Sequence, residues 1–289
     1  MAAIAAPAPA RVVRWPRTLP YAILALASLP IAVLYVWLFY SAFFPSVHGF
    51  TPIGGFTIDN WRFLWDPLSV PQMRNRPAIV PLTINTFIFA ALTSVIVLLI
   101  SSMAGYAFSR LRFPGRRPFL AGILLLHSFP SVTLLIALFV VLRTLGLYDR
   151  LIGVILVKAA FELPFGIWIM KGFFDTIPWD FEMSALVDGA GRLRTWWRIM
   201  LPQVKPGLLA LGLLSFVQGW NEFLLPFVFM PSGSQQTLST LVRGILGEGR
   251  FVDYGLLTAV GLWYVAPVLV IFVVAQKQLM RIYAGGVKG

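Results

Sequence analysis

The chain has 289 residues, 58% of them hydrophobic and only 12% charged, with a formal net charge of +12. Soluble domains carry about 25% charged residues, so this chain lacks the polar surface to stand in water, and the bilayer is its natural solvent. Its lysines and arginines lie in short clusters between apolar runs, the pattern of membrane-protein loops and not of a nucleic-acid surface. With no cysteine and only His48 and His127, disulfides, thiolate chemistry and a histidine-based metal site are not expected.

Residues 1–18, rich in Ala, Pro and Arg, read as a flexible cytoplasmic tail ahead of a membrane domain at 19–289. The first apolar run is too long for a signal-peptide core and has no small-residue cleavage site, so it should remain as an anchor. The chain reads as an all-α integral membrane protein with six spans, at 19–44, 81–109, 118–142, 151–172, 207–230 and 254–276. Runs this long and apolar must be helical, because lipid cannot satisfy exposed backbone groups. With the N-terminus inside, fifteen lysines and arginines fall on inner segments and seven on outer ones, an excess that puts both termini in the cytoplasm. The long outer segment 45–80, with Phe50, Pro52, Trp61, Trp65 and Pro67, reads as an ordered cap.

Ionisable residues at membrane depth are costly and mark function by default. In the fourth span Lys158 and Glu162 stand at i, i+4 and share a helix face. They read either as a neutralised or snorkelling structural pair, or as a polar patch on a pathway wall. The fifth span holds Gln218, Trp220, Asn221 and Glu222, with Pro226 one turn on. An aromatic face beside amide and carboxylate groups suits a polyhydroxylated solute, the ring stacking on C–H faces while acceptors take hydroxyls. The same residues also serve as helix–helix glue. His127, beside Pro130, reads as a buried, satisfied side chain, and Asn85 and Thr86 read likewise.

The inner segment 173–206 carries the strongest pattern. From residue 178 it runs PWDFEMSALVDGAGRLRTWWRIMLPQVKP. Pro178 suits a helix start, Asp180 and Glu182 sit where the helix dipole favours anions, and Met183, Leu186, Val187 and Ala190 form one apolar face. Gly189 and Gly191 allow a sharp turn. A second amphipathic stretch, Arg192 to Met200, follows, and Pro202 and Pro206 are expected to end it. Periodicity alone leaves two readings, a helix pair lying in the lipid interface or a docking element.

This segment resembles the cytoplasmic loop of binding-protein-dependent import permeases, which reads Glu-Ala-Ala, three residues, Gly, nine residues, Ile, one residue, Leu-Pro. Gly189, Ile199, Leu201 and Pro202 match at that spacing, and Asp188, Gly189 and Ala190 match the family's Asp-Gly-Ala. The opening triplet departs: Met183, Ser184 and Ala185 stand there, with Glu182 one position early. Leu163–Trp168 resembles the end of the family's span before the loop, and Phe216, the WNEFL run at 220–224 and the closing Gly286–Gly289 are similar to the maltose- and trehalose-type carbohydrate branch.

The resemblance implies a permease subunit in a bacterial inner membrane, forming half of a pathway for a sugar or related solute. The coupling helix between spans four and five would sit in a cleft of a separate ATPase dimer that binds ATP and Mg, so this chain would need no cofactor and no catalytic residue. A second, different permease, an extracytoplasmic solute-binding protein and the lipid bilayer are the implied partners, and nucleic acid is not. With Met183 at the glutamate position, docking is expected to use the apolar stripe, and Glu182→Gln to matter little. One local feature agrees: a phosphate-binding P-loop needs Gly-Lys, and the five lysines follow Val157, Met170, Val204, Gln276 and Val287. A membrane enzyme acting on lipid-linked sugars would need clustered acids or histidines, whereas the outer loop offers only Asp59, Asp66 and His48 without recognised spacing. A channel should show charged positions in several spans, and only the fourth and fifth have them. A permease for a non-sugar solute remains the other alternative.

Overall fold

A computed structural model describes residues 18–48, 51–68, 78–233, 235–246 and 253–285. The expected tail at 1–17 and the closing Gly286–Gly289 lie outside the described residues.

Lipid forces the apolar runs into helices, because only a helix answers its own backbone polar groups along a single segment. The first is α1, Thr18–Ser41. A short hairpin follows, β1 Ser46–His48 against β2 Thr51–Ile53, antiparallel with Ser46 opposite Ile53. Next comes a 3₁₀ turn, Asp59–Leu64. Part of the expected cap is therefore ordered structure: Asn60 is buried and its amide donates to the carbonyls of Ala42 (3.1 Å) and Phe44 (2.7 Å). Residues 69–77 of that segment lie outside the described residues.

The bundle proper consists of α2 Ile79–Arg110, α3 Arg116–His127, α4 Leu135–Thr144 and α5 Leu151–Asp175. At the loop end come α6 Trp179–Val187, α7 Arg192–Thr195 and α8 Leu201–Gln203. Then follow α9 Lys205–Trp220, α10 Leu224–Phe229, α11 Leu238–Leu246 and α12 Tyr254–Gly285. Among the described residues four helices, α1, α2, α5 and α12, are each long and apolar enough to cross a membrane, and two bent pairs raise the possible number to six.

Two expected spans are not straight rods. The run 118–142 bends by 90° between Arg116–His127 and Ser131–Thr144. Pro130 lies at this corner; it has no N–H to continue a helix and disfavours helical backbone at Phe129. The run 207–230 is helical to Trp220, breaks at Asn221–Phe223 and resumes as α10. Pro226 cannot donate to the Glu222 carbonyl, and that carbonyl instead accepts the Ser239 hydroxyl at 2.6 Å. Nor does Pro202 end the second loop helix. A π-turn, Trp196–Met200, loosens the ladder ahead of it. The chain then turns by 80° at Val204, with Pro206 in the first turn of α9.

α2 is the central helix, with α5 and α9 packed along it. Without water to drive association, membrane helices meet through small residues that let backbones approach. Gly105 of α2 faces α5 so closely that a Cβ there would lie 2.8 Å from both the Lys171 nitrogen and the Met170 Cβ. Gly219 of α9 meets Ala90 of α2, where a Cβ would be 3.0 Å from the Ala90 Cα. Buried Phe89, Val97, Met170, Phe174 and Trp220 fill the spaces between these helices. α1 packs along α12, with only Ser41 buried.

Gly105→Val should overpack the α2–α5 contact and destabilise the protein by about 1–3 kcal/mol. Gly172→Ala, where nothing lies within 4 Å of the added carbon, should not. Thermal unfolding of the two purified variants in one detergent checks this, with a lowered midpoint expected for Gly105→Val alone.

Candidate functional site

Polar side chains at membrane depth gather around a cavity of about 690 Å³ bounded by the end of α3, the turn beyond it, α5, α9 and α10. The Lys158 ammonium donates to Glu222 Oε2 at 2.7 Å and lies 3.5 Å from Glu162 Oε1. The Ser215 hydroxyl donates to Glu162 Oε2, and the Leu225 amide donates to Glu222 Oε1 at 3.2 Å. The side chains of Lys158, Glu162 and Glu222 are 12%, 10% and 14% exposed, so the charges are largely out of water and stand only because they answer one another. The sequence shows Lys158–Glu162 as a pair within one helix; the structure adds Glu222, from the break after α9, as the closer partner.

Gln218 joins these three on the cavity wall. Trp220 and Asn221 do not. Trp220 is fully buried against Phe216 and Tyr264, its indole N–H donating to the Tyr264 carbonyl at 3.0 Å. Asn221 donates to the Val217 carbonyl and its Oδ1 accepts the Tyr264 hydroxyl at 3.0 Å. Both secure the helix break, and neither lines the cavity. His127 is exposed, not buried: it lines the cavity, with Nδ1 3.0 Å from the Phe161 carbonyl. Asn85 donates to the Gln236 carbonyl, and Thr86 accepts the Leu238 amide while donating to the Leu82 carbonyl; these two hold the α11 segment on α2. Ser215, buried beside a narrow pocket next to the cavity and donating to Glu162, is the polar residue that sequence reasoning missed. Its signal was the i, i+3, i+7 spacing of Ser215, Gln218 and Glu222. Among the described residues no cluster of His, Asp or Glu side chains is arranged to hold a metal.

The second constellation closes the loop end. α6 ends in a Schellman motif: the Ala190 amide bonds the Ala185 carbonyl, the Gly189 amide bonds the Leu186 carbonyl, and Gly189 has φ +81°. Open space surrounds Gly189, so the glycine serves the left-handed backbone itself. The buried face of α6 is Glu182 and Ala185. Glu182 has no exposed surface; its Oε1 accepts the Tyr106 hydroxyl at 2.6 Å, and Arg110 and Arg192 lie at 3.5 and 3.7 Å. Arg110 also donates to the carbonyls of Phe174 (2.8 Å) and Ile177 (2.6 Å), and lies 4.8 Å over the Trp179 ring. It therefore joins the ends of α2 and α5 to α6.

Glu182 is the buried counter-charge of Arg110, a structural placement that the expectation of a minor role in docking did not take into account. Met183, Ser184, Asp188 and Gly189 face outward, as does Val187 at 86% exposure. Ala190, Ile199 and Leu201 are half-buried and Pro202 is exposed. Phe181 is also exposed, so much of the apolar side of α6 points away from the bundle, whereas the second loop helix exposes Leu193 and Trp197 and buries Trp196 and Met200 in the core.

The family model for binding-protein-dependent transport system inner membrane components matches residues 97–282, a stretch that holds both constellations. The trehalose transport system permease protein SugB of Mycobacterium tuberculosis is 32% identical over 208 residues, covering 71% of this chain and 76% of the relative. The maltodextrin transport system permease protein MdxG of Bacillus subtilis is 29% identical over 237 residues, 82% of each chain. In fold the chain is similar to a chain in the crystal structure of a bacterial ABC transporter involved in alginate import. The TM-score is 0.73 at 22% identity, covering 91% of this chain and 98% of that one.

Removing one partner of a buried ion pair costs about 3–5 kcal/mol, since the other charge is left unanswered. Glu182→Ala should therefore destabilise the loop end and open it to protease, while Met183→Ala, on the exposed face, should not. Limited proteolysis of the purified variants, scored for cleavage within 173–206, measures this.

Proposed function

The chain belongs to the family of binding-protein-dependent transport system inner membrane components, and we propose that it forms half of the pathway of an ATP-driven importer for a sugar or related polyhydroxylated solute. The observation that carries this reading is the loop end. A polar residue, Glu182, is locked inward while the apolar side chains of α6 and α7 are left outward. An amphipathic helix packed this way round presents a docking face. A separate ATPase pair that binds ATP and Mg would seat that face in a cleft. Movement of the seated helix would reach the spans through Arg110, which bonds the end of α5 as well as facing Glu182.

The substrate class follows from the relatives and from chemistry. The relatives are named for trehalose and maltodextrin transport. The cavity offers carboxylates and an amide, groups that take hydroxyl donors, and its volume of about 690 Å³ is within the usual range of small-molecule sites. Lys158, Glu162, Gln218 and Glu222 are the pathway residues in this reading. A second, different permease would complete the pathway, and an extracytoplasmic solute-binding protein would deliver the solute. Both termini would be cytoplasmic, an orientation supported by the basic excess of the inner segments.

Two substitutions test the docking face. Gly189→Val forces a β-branched residue into left-handed backbone, and Val187→Asp puts a charge on the most exposed apolar position of α6. Both chains should insert in the membrane, yet copurify with less ATPase and support less ATP-driven uptake. Normal ATPase association and uptake in both variants would mean that α6 is not the coupling element.

A further inference from the structure

The cap between α1 and α2 leaves three large apolar side chains bare: Phe56, Ile58 and Trp65, at 73%, 59% and 62% exposure. Such groups on one short segment are costly in water and mark a contact surface. The height of the cap along the membrane normal is fixed by α1. That helix has 24 residues, a length of about 36 Å, against about 30 Å of hydrocarbon and about 40–45 Å with the headgroups. A span of this length ends among the headgroups, and tilt would only bring its end lower. The cap cannot rise away from that end. The Thr57 amide bonds the Phe43 carbonyl at 2.8 Å, and Asn60 holds the carbonyls of Ala42 and Phe44. The start of α12 closes on the same place: a Cβ on Gly255 would lie 2.7 Å from both the Phe44 oxygen and the Asn60 side-chain nitrogen.

Ring contacts join this surface to the part of α1 that lies in lipid. Phe39 and Tyr40 of α1 are exposed. Phe39 packs on Phe43 with centroids 5.3 Å apart, and Phe43 stacks on Phe56, also at 5.3 Å and 5° from parallel. Tyr40 packs on Phe44 at 4.6 Å. The bare ring of Phe56 therefore continues an apolar surface that begins on the span. Aromatic side chains, tryptophan and tyrosine above all, settle where acyl chains meet headgroups, because one end is apolar and the other can bond. We propose that the cap is an interfacial anchor: Phe56, Ile58 and Trp65 sit at the headgroup–acyl boundary of the leaflet opposite the loop end, and hold the joined ends of α1 and α12 at that depth. The occupant of this surface is lipid and not a protein. The anchor rests on α1 being a span and is independent of what the transporter carries.

The chain has no native cysteine, so single spin labels can be placed through Phe56→Cys, Ile58→Cys and Trp65→Cys, with Leu29→Cys in the middle of α1 as the lipid reference. The assembled transporter, its partner subunits freed of cysteine, is placed in vesicles of phosphatidylethanolamine and phosphatidylglycerol. Collisions with oxygen, which gathers among acyl chains, are compared with collisions with a water-soluble nickel chelate. For the three cap labels the oxygen-to-nickel ratio should be several-fold above that of the free label in water and below that of Leu29→Cys, a depth of about 5–10 Å. A ratio equal to that of the free label would put these side chains in water, as a face for a soluble partner, and overturn the proposal. Shielding from both reagents would mean that a neighbouring subunit covers them, and would overturn it as well. The Leu29→Cys label separates the two levels of failure. A water-like ratio there would remove the span itself, whereas a lipid-like ratio there beside water-like cap labels would leave the span standing and remove the anchor alone.

Discussion

One guanidinium holds the loop end together. Arg110 stands where α2 ends, and from there it bonds the carbonyls at the end of α5, stacks on Trp179 and faces the carboxylate of Glu182. With 3% exposure it cannot lose any of these to water cheaply. Tyr106, one turn earlier on α2, gives Glu182 its hydrogen bond. The helix whose apolar side faces outward is thus fastened to the two central helices by a buried charge pair and not by greasy contact. A docking face must be left bare, so the residues that anchor its helix have to come from the polar side. This places Glu182 inward and Val187 outward on the same nine-residue helix.

The same rule, that polar groups away from water must be answered inside the protein, shapes the membrane region. At the break after α9 the Glu222 carbonyl takes Ser239, and Tyr264 bonds both the Trp220 carbonyl and Asn221. The Glu222 side chain is then turned to Lys158. A broken helix therefore does two things at once: its backbone is secured by α11 and α12, and its carboxylate is delivered to the cavity. Close glycine contacts of α2 with α5 and α9 keep this geometry tight.

Much of this was legible in the sequence. The apolar runs name the helices because lipid leaves no other solution, and the Gly189–Ile199–Leu201–Pro202 spacing names the loop. The bends were less so. Pro30, Pro164 and Pro267 lie inside continuous helices, whereas Pro130 and Pro226 accompany breaks. At Pro226 the freed Glu222 carbonyl is answered by Ser239 of α11, a contact that periodicity does not report. Trp220 and Glu222 were read as one binding patch although residues two apart do not share a helix face, and the structure separates them. Glu182 was discounted because it sits one position from the family register. Its partners Tyr106 and Arg110, at i, i+4 on the end of α2, lie more than seventy residues away in sequence, and only the fold brings them together.

The central claim is mechanical: α6 and α2 move as one body because of the Arg110–Glu182 contact. Spin labels at Val187, on the exposed face of α6, and at Met103, on the exposed face of α2, report their separation in the assembled transporter by pulsed electron resonance. The account predicts one narrow distance, the same to within about 2 Å in nucleotide-free and ATP-bound states, and a broad distribution in Glu182→Ala. A shift of about 5 Å or more between the two nucleotide states, the scale of a one-turn slip, with Glu182 and Arg110 intact, would contradict it.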